Sequence, residues 1–377
     1  MKLLYVNPQS YNNLSKYDDG FLSELTGWDC HYACSILLDQ DLPAKIVVHK
    51  VFKYNGIPSR IRRAASYAVS LVQVFRISRR IKPDIIHVQW VKVPVIDFAF
   101  LYFLRRVTST KLVLTAHNVV PHDQRDQSHY WLGRIYALVD CVVVHEPQSG
   151  TEIEERFGIG GAKIKTIRHG LIPLKESGRR KFASEIKDFF KKGEVNFLFF
   201  GRGNRYKGID ILVSAWMKMP TVDRSRARLL IVGKLDPTVR GDVLERLGDQ
   251  ESCLVIDEFV SEVDLFEAVH GTDAMVFPYR QISQSGALLS TLDTRKPVIV
   301  SRCNGLIEPL SVGDIGWSYD GSDNELSHLI SNLINDRSLL HRKAEDSEAW
   351  QRVFEYYSWA TIGHDIRAAY ERIARGL

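Results

Sequence analysis

The chain has 377 residues, of which 45% are hydrophobic and 25% charged, and its formal net charge is +5. This composition supports large buried cores and excludes an extensively disordered protein, and the charge is too small to indicate a nucleic-acid partner. Five cysteines without a Cys-x-x-Cys pair indicate neither a disulfide framework nor a zinc site. We therefore expect a globular protein of the reducing cytoplasm.

The sequence contains no predicted membrane-spanning segment. The amino-terminal stretch MKLLYVNP lacks the apolar core of a signal peptide. The most apolar stretch, from Val91 to Leu104, is interrupted by Lys92, Pro94 and Asp97, and a spanning helix needs roughly 20 apolar residues.

The first half of the chain alternates short apolar runs with longer amphipathic ones. Strands are predicted at 3–6, 46–51, 84–88, 112–116, 141–145 and 165–168, and helices at 21–37, 59–82, 95–106 and 149–157. This alternation predicts a doubly wound α/β domain over residues 1–173.

Polar side chains follow the strands of this domain. His117 comes directly after the strand at 112–116, a position that lies at the mouth of the ligand crevice in a parallel sheet, and we expect it to contact substrate. Trp90, Asn118, His122 and Asp123 occupy similar loops and are candidates for binding an acceptor.

A polar loop is predicted from Asn7 to Gly20. Gly20 would let the backbone approach a ligand more closely than a side chain allows. Asp18 and Asp19 lie in the same loop, but two carboxylates are too few for a divalent cation, and a solvated loop explains them without a metal. We predict no metal site.

The helix at 59–82 is strongly basic and contains no acidic residue. It could lie on anionic lipid headgroups as an amphipathic surface helix. Its apolar stripe would serve equally well for packing on the sheet, with a solvated basic face outside. Both interpretations remain open.

A charged segment at 174–193 is predicted as a linker with a short helix at 182–190. A second series of strands and helices follows over residues 194–357 and predicts a second doubly wound domain. In it, 301–308 is expected to be a loop, 313–321 a turn and 339–354 one helix. A last amphipathic helix at 359–373 lies in the segment 358–377.

The second domain begins with a strand that ends in GRGNRYKG. This stretch lacks the pattern of a P-loop, and Tyr206 occupies the place of the third glycine of a dinucleotide fingerprint. What remains is two cations, Arg202 and Lys207, on a glycine-rich turn that begins at Gly201. They could neutralise a diphosphate, or they could belong to a solvated basic turn.

A strand, a small-residue loop, a helix and a second strand follow one another from Ala274 to Ser301. The loop is predicted at the carboxyl end of its strand, and the helix at 286–293 would direct its amide groups toward an anion. An ordinary turn capped by Ser283 or Ser285 is the alternative.

Taken in order, these motifs resemble glycosyltransferase family four, a large retaining family with the GT-B architecture. The resemblance covers nearly the whole chain and rests on HVQW at 87–90, TAHN at 115–118, the pair His169-Gly170, the turn at 201–208, and the stretch from Pro278 to Ile299. It implies two Rossmann-like doubly wound domains that face a central cleft, with the segment 358–377 crossing back to the first domain.

The resemblance also implies roles for individual residues. Arg202 and Lys207 match cations that hold the diphosphate of a nucleotide-sugar donor, and His117 matches a histidine beside the donor sugar, so these three are the expected catalytic residues. The other expected donor-binding residues are Gly20, His169, Gly201, Ser283, Gln284, Ser285, Gly286 and Ser290.

The chain departs from the family at one place. Two glutamates eight positions apart commonly precede the strand that begins with Pro-Val-Ile, and this chain has Ile282 and Ser290 there. Neither accepts the hydroxyl groups of a ribose as a carboxylate does. We expect ribose recognition to be weaker or to use another residue.

The implied chemistry is transfer of a sugar to a glycan or lipid-linked glycan, with retention, with no cofactor and without a metal ion. Fixed cations at the departing diphosphate would stabilise the transition state. Peripheral contact of the basic helix with the inner face of the cell membrane is one of its two open interpretations. Two alternatives remain open, namely a nucleotide-sugar 2-epimerase of the same fold and an inactive binding subunit.

Overall fold

The computed structural model describes residues 1–11, 13–38, 42–119, 127–174, 178–191, 194–248, 250–282 and 284–376. These residues form two compact units. The first contains Met1–Gly170 and Tyr357–Leu377, and the second contains Leu171–Tyr356. The described part of the segment 174–193, which was predicted as a linker, therefore belongs to the second unit. The last helix belongs to the first unit.

The first unit is a parallel α/β domain. Its strands are β1 (Lys2–Asn7), β2 (Asp29–Ser35), β3 (Val47–Phe52), β4 (Ile85–Val88), β5 (Lys111–Thr115), β6 (Cys141–Val144) and β7 (Ile164–Thr166). Its helices are α1 (Asn13–Ser23), α2 (Arg60–Ile81), α3 (Pro94–Val107), α4 (Gln127–Leu138), α5 (Pro147–Phe157) and, at the carboxyl terminus of the chain, α16 (Trp359–Arg375).

The strands of the first unit are ordered β3-β2-β1-β4-β5-β6-β7, and every pair is parallel. Buried runs such as IIHV in β4 and CVVV in β6 fit a sheet covered by helices on both faces. The strand order reverses between β1 and β4, and ligands of doubly wound folds bind in the crevice beyond the carboxyl ends of such strands.

The second unit repeats this design. Its strands are β8 (Val195–Phe200), β9 (Ala227–Val232), β10 (Cys253–Ile256), β11 (Ala274–Phe277), β12 (Val298–Ser301) and β13 (Gly316–Tyr319). Its helices are α6 (Ala183–Phe190), α7 (Ile209–Lys218), α8 (Thr221–Arg226), α9 (Pro237–Leu247), α10 (Glu262–Gly271), α11 (Gly286–Leu289), α12 (Asn304–Val312), α13 (Asp323–Asn335), α14 (Ser338–Glu345) and α15 (Ser347–Tyr357).

The sheet of the second unit has the order β10-β9-β8-β11-β12-β13, again with every pair parallel. Its reversal point lies between β8 and β11. The loop after β8 carries Arg202 and Lys207, and the loop after β11 carries Gln284 and Ser285. Both loops predicted to hold the donor therefore begin at the strands that flank the reversal point.

Several predicted elements are wrong. The helix predicted at 21–37 is instead the end of α1 followed by β2, because α1 begins eight residues earlier within the predicted loop. The predicted loop at 301–308 contains the start of α12, and the predicted turn at 313–321 contains β13. The helix predicted at 339–354 is divided into α14 and α15 at Asp346, whose carboxylate accepts the Ala349 amide at 2.9 Å.

Within the described residues, each helix is too short or too polar to cross a bilayer.

Candidate active site

The carboxyl ends of β4 and β5 border a cavity of about 190 Å³ in the first unit. Trp90, His117 and Asn118 line it, so the structure brings together three residues that the sequence predicts for substrate binding. Gln89 and Lys92 line it as well. His122 and Asp123, the other two predicted acceptor residues, lie outside the described residues.

Both ring nitrogens of His117 contact protein groups. Its Nε2 lies 3.0 Å from Gln89 Oε1, and its Nδ1 lies 3.1 Å from Nε2 of His145. Its ring is parallel to that of Trp90, with the ring centres 4.3 Å apart. A substrate could reach a ring nitrogen of His117 only by displacing one of these partners. His117 therefore lines the cavity with its ring, which together with Trp90 forms one wall.

Four histidines follow or end successive strands of this sheet, and all four are held neutral. Burial lowers the pKa of His87 to about 3, that of His145 to about 4 and that of His169 to about 3, and it lowers the pKa of His117 well below the usual range. Neighbouring imidazoles add to the shift for His87, His117 and His169, because each would repel a second positive charge.

The segment that follows Trp90 is held by a buried carboxylate. Asp97 accepts the backbone amides of Lys92 at 2.8 Å and Val93 at 2.7 Å, and also the hydroxyl of Tyr67. Burial raises the pKa of Asp97 to about 7, against the opposing effect of these hydrogen bonds. Asp97 therefore fixes the backbone on one side of the cavity.

Gly20 is not in a loop, and the predicted loop from Asn7 to Gly20 is wrong at this end. Gly20 lies inside α1, and a Cβ atom there would meet Cε2 of Trp359 at 2.1 Å. A Cβ atom at Gly170 would clash with the same indole. The close approach that requires glycine at position 20 is thus to a side chain of α16, and the structure gives Gly20 a packing role.

Asp18 is also part of the packing of the first unit. It is fully buried and accepts hydrogen bonds from Tyr5 at 2.9 Å, from Asn7 at 2.6 Å and from Tyr32. Burial raises its pKa to about 7. The interpretation of Asp18 as a solvated loop residue is wrong, because Asp18 lies in α1 and its carboxylate is buried against polar side chains of β1 and β2.

His169 lies beside Trp359 and Tyr17. Its ring centre is 4.7 Å from that of Tyr17, and its Nδ1 lies 2.7 Å from the carbonyl oxygen of Gly170, to which it donates. Among the described residues, His169 is therefore packed within the first unit.

The turn after β8 places a lysine ammonium over an aromatic ring. Gly201 has φ +111°, and a Cβ atom there would lie 2.8 Å from Nζ of Lys207, so glycine makes room for the lysine. Lys207 Nζ is 5.2 Å from the ring centre of Tyr279. Burial lowers the pKa of Lys207, and in the described part of the chain no carboxylate pairs with it.

Arg202 is more exposed than Lys207. Its guanidinium lies 3.2 Å from a carboxylate oxygen of Asp236, and its side chain is 62% exposed. An ion pair with that exposure contributes little to stability. Arg202 can therefore exchange Asp236 for an incoming anion at small cost.

Arg280 connects the loops after β8 and β11, and it was not among the predicted site residues. It makes a bidentate pair with Asp210 at 2.7 Å for each bond and also donates to the carbonyl of Arg205. Its backbone amide donates to the carbonyl of Tyr206 at 2.8 Å. Arg280 thus holds the turn that carries Arg202 and Lys207.

The loop after β11 differs from its prediction. Its helix, α11, is a single turn that begins at Gly286, and its Leu288 amide is capped by the hydroxyl of Ser285 at 3.2 Å. Such a short helix gives little dipole for an anion. The helix predicted at 286–293 begins where expected but ends at Leu289, and a separate 3-10 turn follows at Leu292–Thr294. Ser290 donates its hydroxyl to Ala287 at 2.8 Å. Ser283 lies outside the described residues.

Two buried polar atoms in this loop, the hydroxyl oxygen of Tyr279 and Oε1 of Gln284, lack a partner among the described residues. The Oε1 atom of Gln284 is inaccessible to solvent and accepts no hydrogen bond. Tyr319, at the end of β13, has a buried hydroxyl in the same condition. Unsatisfied buried polar groups cost free energy, and a polar ligand can satisfy them.

Sequence reasoning missed Gln89, His87 and His145 as members of the site. A signal was present, because histidine recurs at the ends of four strands that are adjacent in the sheet. The adjacency itself, with β4, β5, β6 and β7 side by side, becomes known only from the structure. Arg280 gave no signal, since its partner Asp210 lies 70 residues away in the chain.

Both halves of the chain match glycosyltransferase families. The family described as Glycosyltransferase Family 4 matches residues 26–173, and the family described as Glycosyl transferases group 1 matches residues 194–336. The chain is a glycosyltransferase of the family-four type, and the resemblance inferred from its motifs is confirmed.

Two curated relatives carry named activities. The chain is 25% identical over 243 residues to a glycogen synthase of Mycobacterium tuberculosis, a match that spans 63% of the chain and 55% of the relative. It is 28% identical over 225 residues to a GDP-mannose:glycolipid 4-beta-D-mannosyltransferase of Xanthomonas campestris, spanning 59% of the chain and 58% of the relative. The matches thus span little more than half of each relative.

Solved structures share the whole fold. Anabaena HepE in complex with UDP superposes with a TM-score of 0.69 at 16% identity, covering 98% of this chain and 100% of that one. Sucrose-phosphate synthase of Thermosynechococcus elongatus has a TM-score of 0.74 at 16% identity and covers both chains fully. The prediction of two Rossmann-like domains of GT-B type is confirmed.

Proposed function

We propose that the protein transfers a hexosyl group from a nucleoside-diphosphate sugar to a glycan or glycolipid acceptor. The observation that carries this proposal is Lys207, a half-buried ammonium on a glycine turn whose pKa is lowered by burial and which lacks a carboxylate partner within the described residues. A buried cation without an anion is destabilised, and a bound diphosphate would supply the missing charge.

The donor would lie on the second unit at the ends of β8 and β11. Cleavage of the anomeric bond develops positive charge on the sugar and negative charge on the departing diphosphate. Lys207 and Arg202 would stabilise that negative charge, and Arg280 would keep the turn that bears them in place. The unsatisfied Oε1 of Gln284 offers a hydrogen-bond acceptor to a donor hydroxyl.

The acceptor would lie in the cavity of the first unit. Its wall of Trp90 and His117 is aromatic and uncharged, which suits a sugar ring better than a phosphate group. Asn118 adds a polar side chain that can hydrogen-bond to hydroxyl groups. One of the relatives is named for a glycolipid acceptor, which supports an acceptor of that class.

Transfer would proceed with retention and without a metal ion. The two cations of the second unit can neutralise the leaving diphosphate by themselves. The expected result is undiminished transfer in the presence of EDTA, together with a product in which the anomeric configuration of the donor is preserved, as measured by NMR coupling constants. Loss of transfer in EDTA, restored by a divalent cation, would contradict the metal-free proposal.

Helix α2 would contact an anionic membrane. One of its faces packs in the core through Tyr67, Leu71 and Val74, and the other exposes arginines together with Ile61, which is 83% exposed, and Val69, which is 60% exposed. Such a face combines electrostatic attraction with insertion of apolar side chains. Co-sedimentation with phosphatidylglycerol vesicles but not with phosphatidylcholine vesicles is expected, and equal sedimentation with both would contradict the electrostatic part.

The function is tested by incubating the protein with a panel of nucleotide sugars and with glycan and glycolipid acceptors. We expect transfer, or slow donor hydrolysis, for at least one donor, and its loss in Lys207→Ala. Lys218→Ala is the matched control, because Lys218 is an exposed lysine of the same unit that pairs with Asp323 at 2.7 Å. The absence of both transfer and hydrolysis with every donor would contradict the proposal. An epimerised sugar formed without acceptor would indicate the epimerase instead.

A further inference from the structure

The histidines of the first unit are members of one continuous hydrogen-bonded chain. Its links join Tyr370 Oη to His87 Nδ1, His87 Nε2 to the Gln89 amide at 3.1 Å, the Gln89 amide to His117 Nε2 at 3.0 Å, His117 Nδ1 to His145 Nε2 at 3.1 Å, and His145 Nδ1 to the Ile167 carbonyl at 2.8 Å. The chain runs from α16 to the end of β7 across three adjacent strands. Sugar transfer by itself requires none of these links beyond His117.

The carbonyl end of the chain determines where the protons are. The oxygen of Ile167 can only accept, so Nδ1 of His145 must carry a proton. A neutral His145 then has a bare Nε2, which can only accept a hydrogen bond from Nδ1 of His117. A neutral His117 is in turn left with a bare Nε2, directed at the amide of Gln89.

The Gln89 amide has two orientations, and they correspond to different charges. With Oε1 toward His117, both nitrogens of His117 or of His145 must be protonated, so the pair carries a positive charge. With the amide nitrogen toward His117, every member of the chain is neutral. His87 then carries its proton on Nε2, which faces both the oxygen of Gln89 and the hydroxyl oxygen of Thr115, the latter at 2.7 Å, and Tyr370 donates to Nδ1 of His87.

The surroundings favour the neutral chain. The titratable groups around the pair of His117 and His145 include the imidazoles of His87 and His169, which oppose a positive charge, and the phenol ring of Tyr17, which packs edge-on against both members of the pair. Burial of the pair disfavours the imidazolium further.

We propose that Gln89 and His145 are positioning residues that hold His117 as the neutral Nδ1–H tautomer, with its ring fixed parallel to Trp90. The amide nitrogen of Gln89 faces His117 in this arrangement. Tyr370 anchors the far end through His87, so α16 contributes to the order of the cavity wall. The tautomer is a property of the free protein and does not depend on the proposed transfer reaction. The expected effect on acceptor use does rest on that proposed function.

The tautomer is measured by NMR of protein labelled with ¹⁵N-histidine. The spectrum reports two-bond couplings between the carbon-bound protons of each imidazole ring and its two nitrogens. At pH 7 we expect a protonated Nδ1 and a bare Nε2 for His117 and for His145. His364, which is exposed on α16, provides the reference for a solvated ring. An Nε2–H tautomer of His117, or an imidazolium at pH 7, would overturn the proposal.

Two substitutions at position 145 separate positioning from general packing. Glutamine can donate to Ile167 and accept from His117, whereas leucine fills the space without either bond. We expect His145→Gln to keep the Nδ1–H tautomer of His117 and kcat/KM for the acceptor within about threefold of wild type, and His145→Leu to lose the tautomer and about tenfold in kcat/KM.

Equal tautomer populations in the two variants would contradict the role of His145. If His145→Leu does not fold, the wild-type spectrum and His145→Gln still decide. If the tautomer is as expected but no nucleotide sugar is consumed, the proposed function fails while the positioning of His117 stands.

Discussion

The carboxyl ends of the two sheets carry opposite chemistry. In the first unit, neutral histidines and a glutamine satisfy one another's hydrogen bonds beside a stacked tryptophan, around a small cavity that Lys92 also lines. In the second unit, the equivalent edge exposes Arg202 and a partly buried Lys207 on a glycine turn, and it leaves buried acceptors such as Gln284 Oε1 unsatisfied. The same kind of strand order thus supports a wall of stacked rings in one unit and a turn with two cations in the other.

This difference shows what each fold copy contributes. A nucleoside diphosphate brings charge, and the second unit offers cations that lack full compensation. A sugar acceptor brings hydroxyl groups and apolar ring faces, and the first unit offers an aromatic wall with a fixed pattern of hydrogen bonds. Substitutions at the carboxyl end of either sheet test this comparison, because each is expected to affect the use of one substrate more than the other.

The largest effect is expected at Lys207. Lys207→Ala removes the half-buried cation that is proposed to face the developing charge of the leaving group, and we expect kcat to fall by about 10²–10³. The measurement is initial rate against donor concentration, with Lys218→Ala as the control. A Lys207→Ala enzyme within threefold of wild type would remove the basis for placing the diphosphate at this turn.

A smaller loss is expected when the turn is no longer held. Arg280→Leu removes the bidentate pair with Asp210 and the bond to the Arg205 carbonyl, and we expect about a tenfold loss in kcat/KM for the donor. Asp210→Asn should cost less alone and add little to Arg280→Leu, because both act through one contact. Fully additive losses would show that Arg280 acts by another route.

A substitution of Trp90 distinguishes the proposed acceptor site of the first unit from the proposed donor site of the second most clearly. Trp90→Leu removes the ring that stacks on His117, and we expect KM for the acceptor to rise about tenfold while donor hydrolysis without acceptor is unchanged. Trp131→Leu on α4, outside the cavity lining, is the matched control. An equal change in donor hydrolysis would mean that Trp90 serves the donor.

The last expected effect is on stability against pH. Buried histidines with lowered pKa values bind fewer protons when folded than when unfolded, so the free energy of unfolding should fall as the pH falls from about 6.5 toward 4. Each such histidine contributes up to about 1.4 kcal/mol per pH unit. Asp18 and Asp97, whose pKa values are raised to about 7, act in the opposite direction over the same window.

Urea denaturation between pH 4.5 and 7 measures this balance. His145→Gln removes one of the titrating groups, and the slope against pH should decrease by up to one proton. A slope that is unchanged in this variant would mean that His145 binds as many protons in the folded protein as in the unfolded one, which would contradict its lowered pKa.

The fold could be predicted from sequence where strands are fully buried, because IIHV, CVVV and VIVS form apolar runs that only a covered parallel sheet needs. The prediction failed where burial is mixed with polar side chains. β2 contains Asp29 and His31, and its apolar residues fit a helix equally well. Helix α12 was not predicted, because Pro309 lies inside it and proline usually indicates the end of a helix.

The site was predictable in the second unit and only partly in the first. Arg202 and Lys207 lie close together in the chain, on a glycine turn that has a recognisable pattern. The histidine chain depends on which strands become neighbours, and its end at Tyr370 lies 283 residues from His87. Contacts of that range have no local pattern in the sequence.

The central claim is that the anion site of the second unit binds a nucleoside diphosphate. Titration calorimetry with UDP, GDP and ADP, with CMP as a monophosphate comparison, tests it directly in wild type, Lys207→Ala and Lys218→Ala. We expect at least one diphosphate to bind wild type and Lys218→Ala alike, and to bind Lys207→Ala about tenfold or more weakly. Binding of none of them to wild type, or equal affinity in Lys207→Ala, would contradict the account.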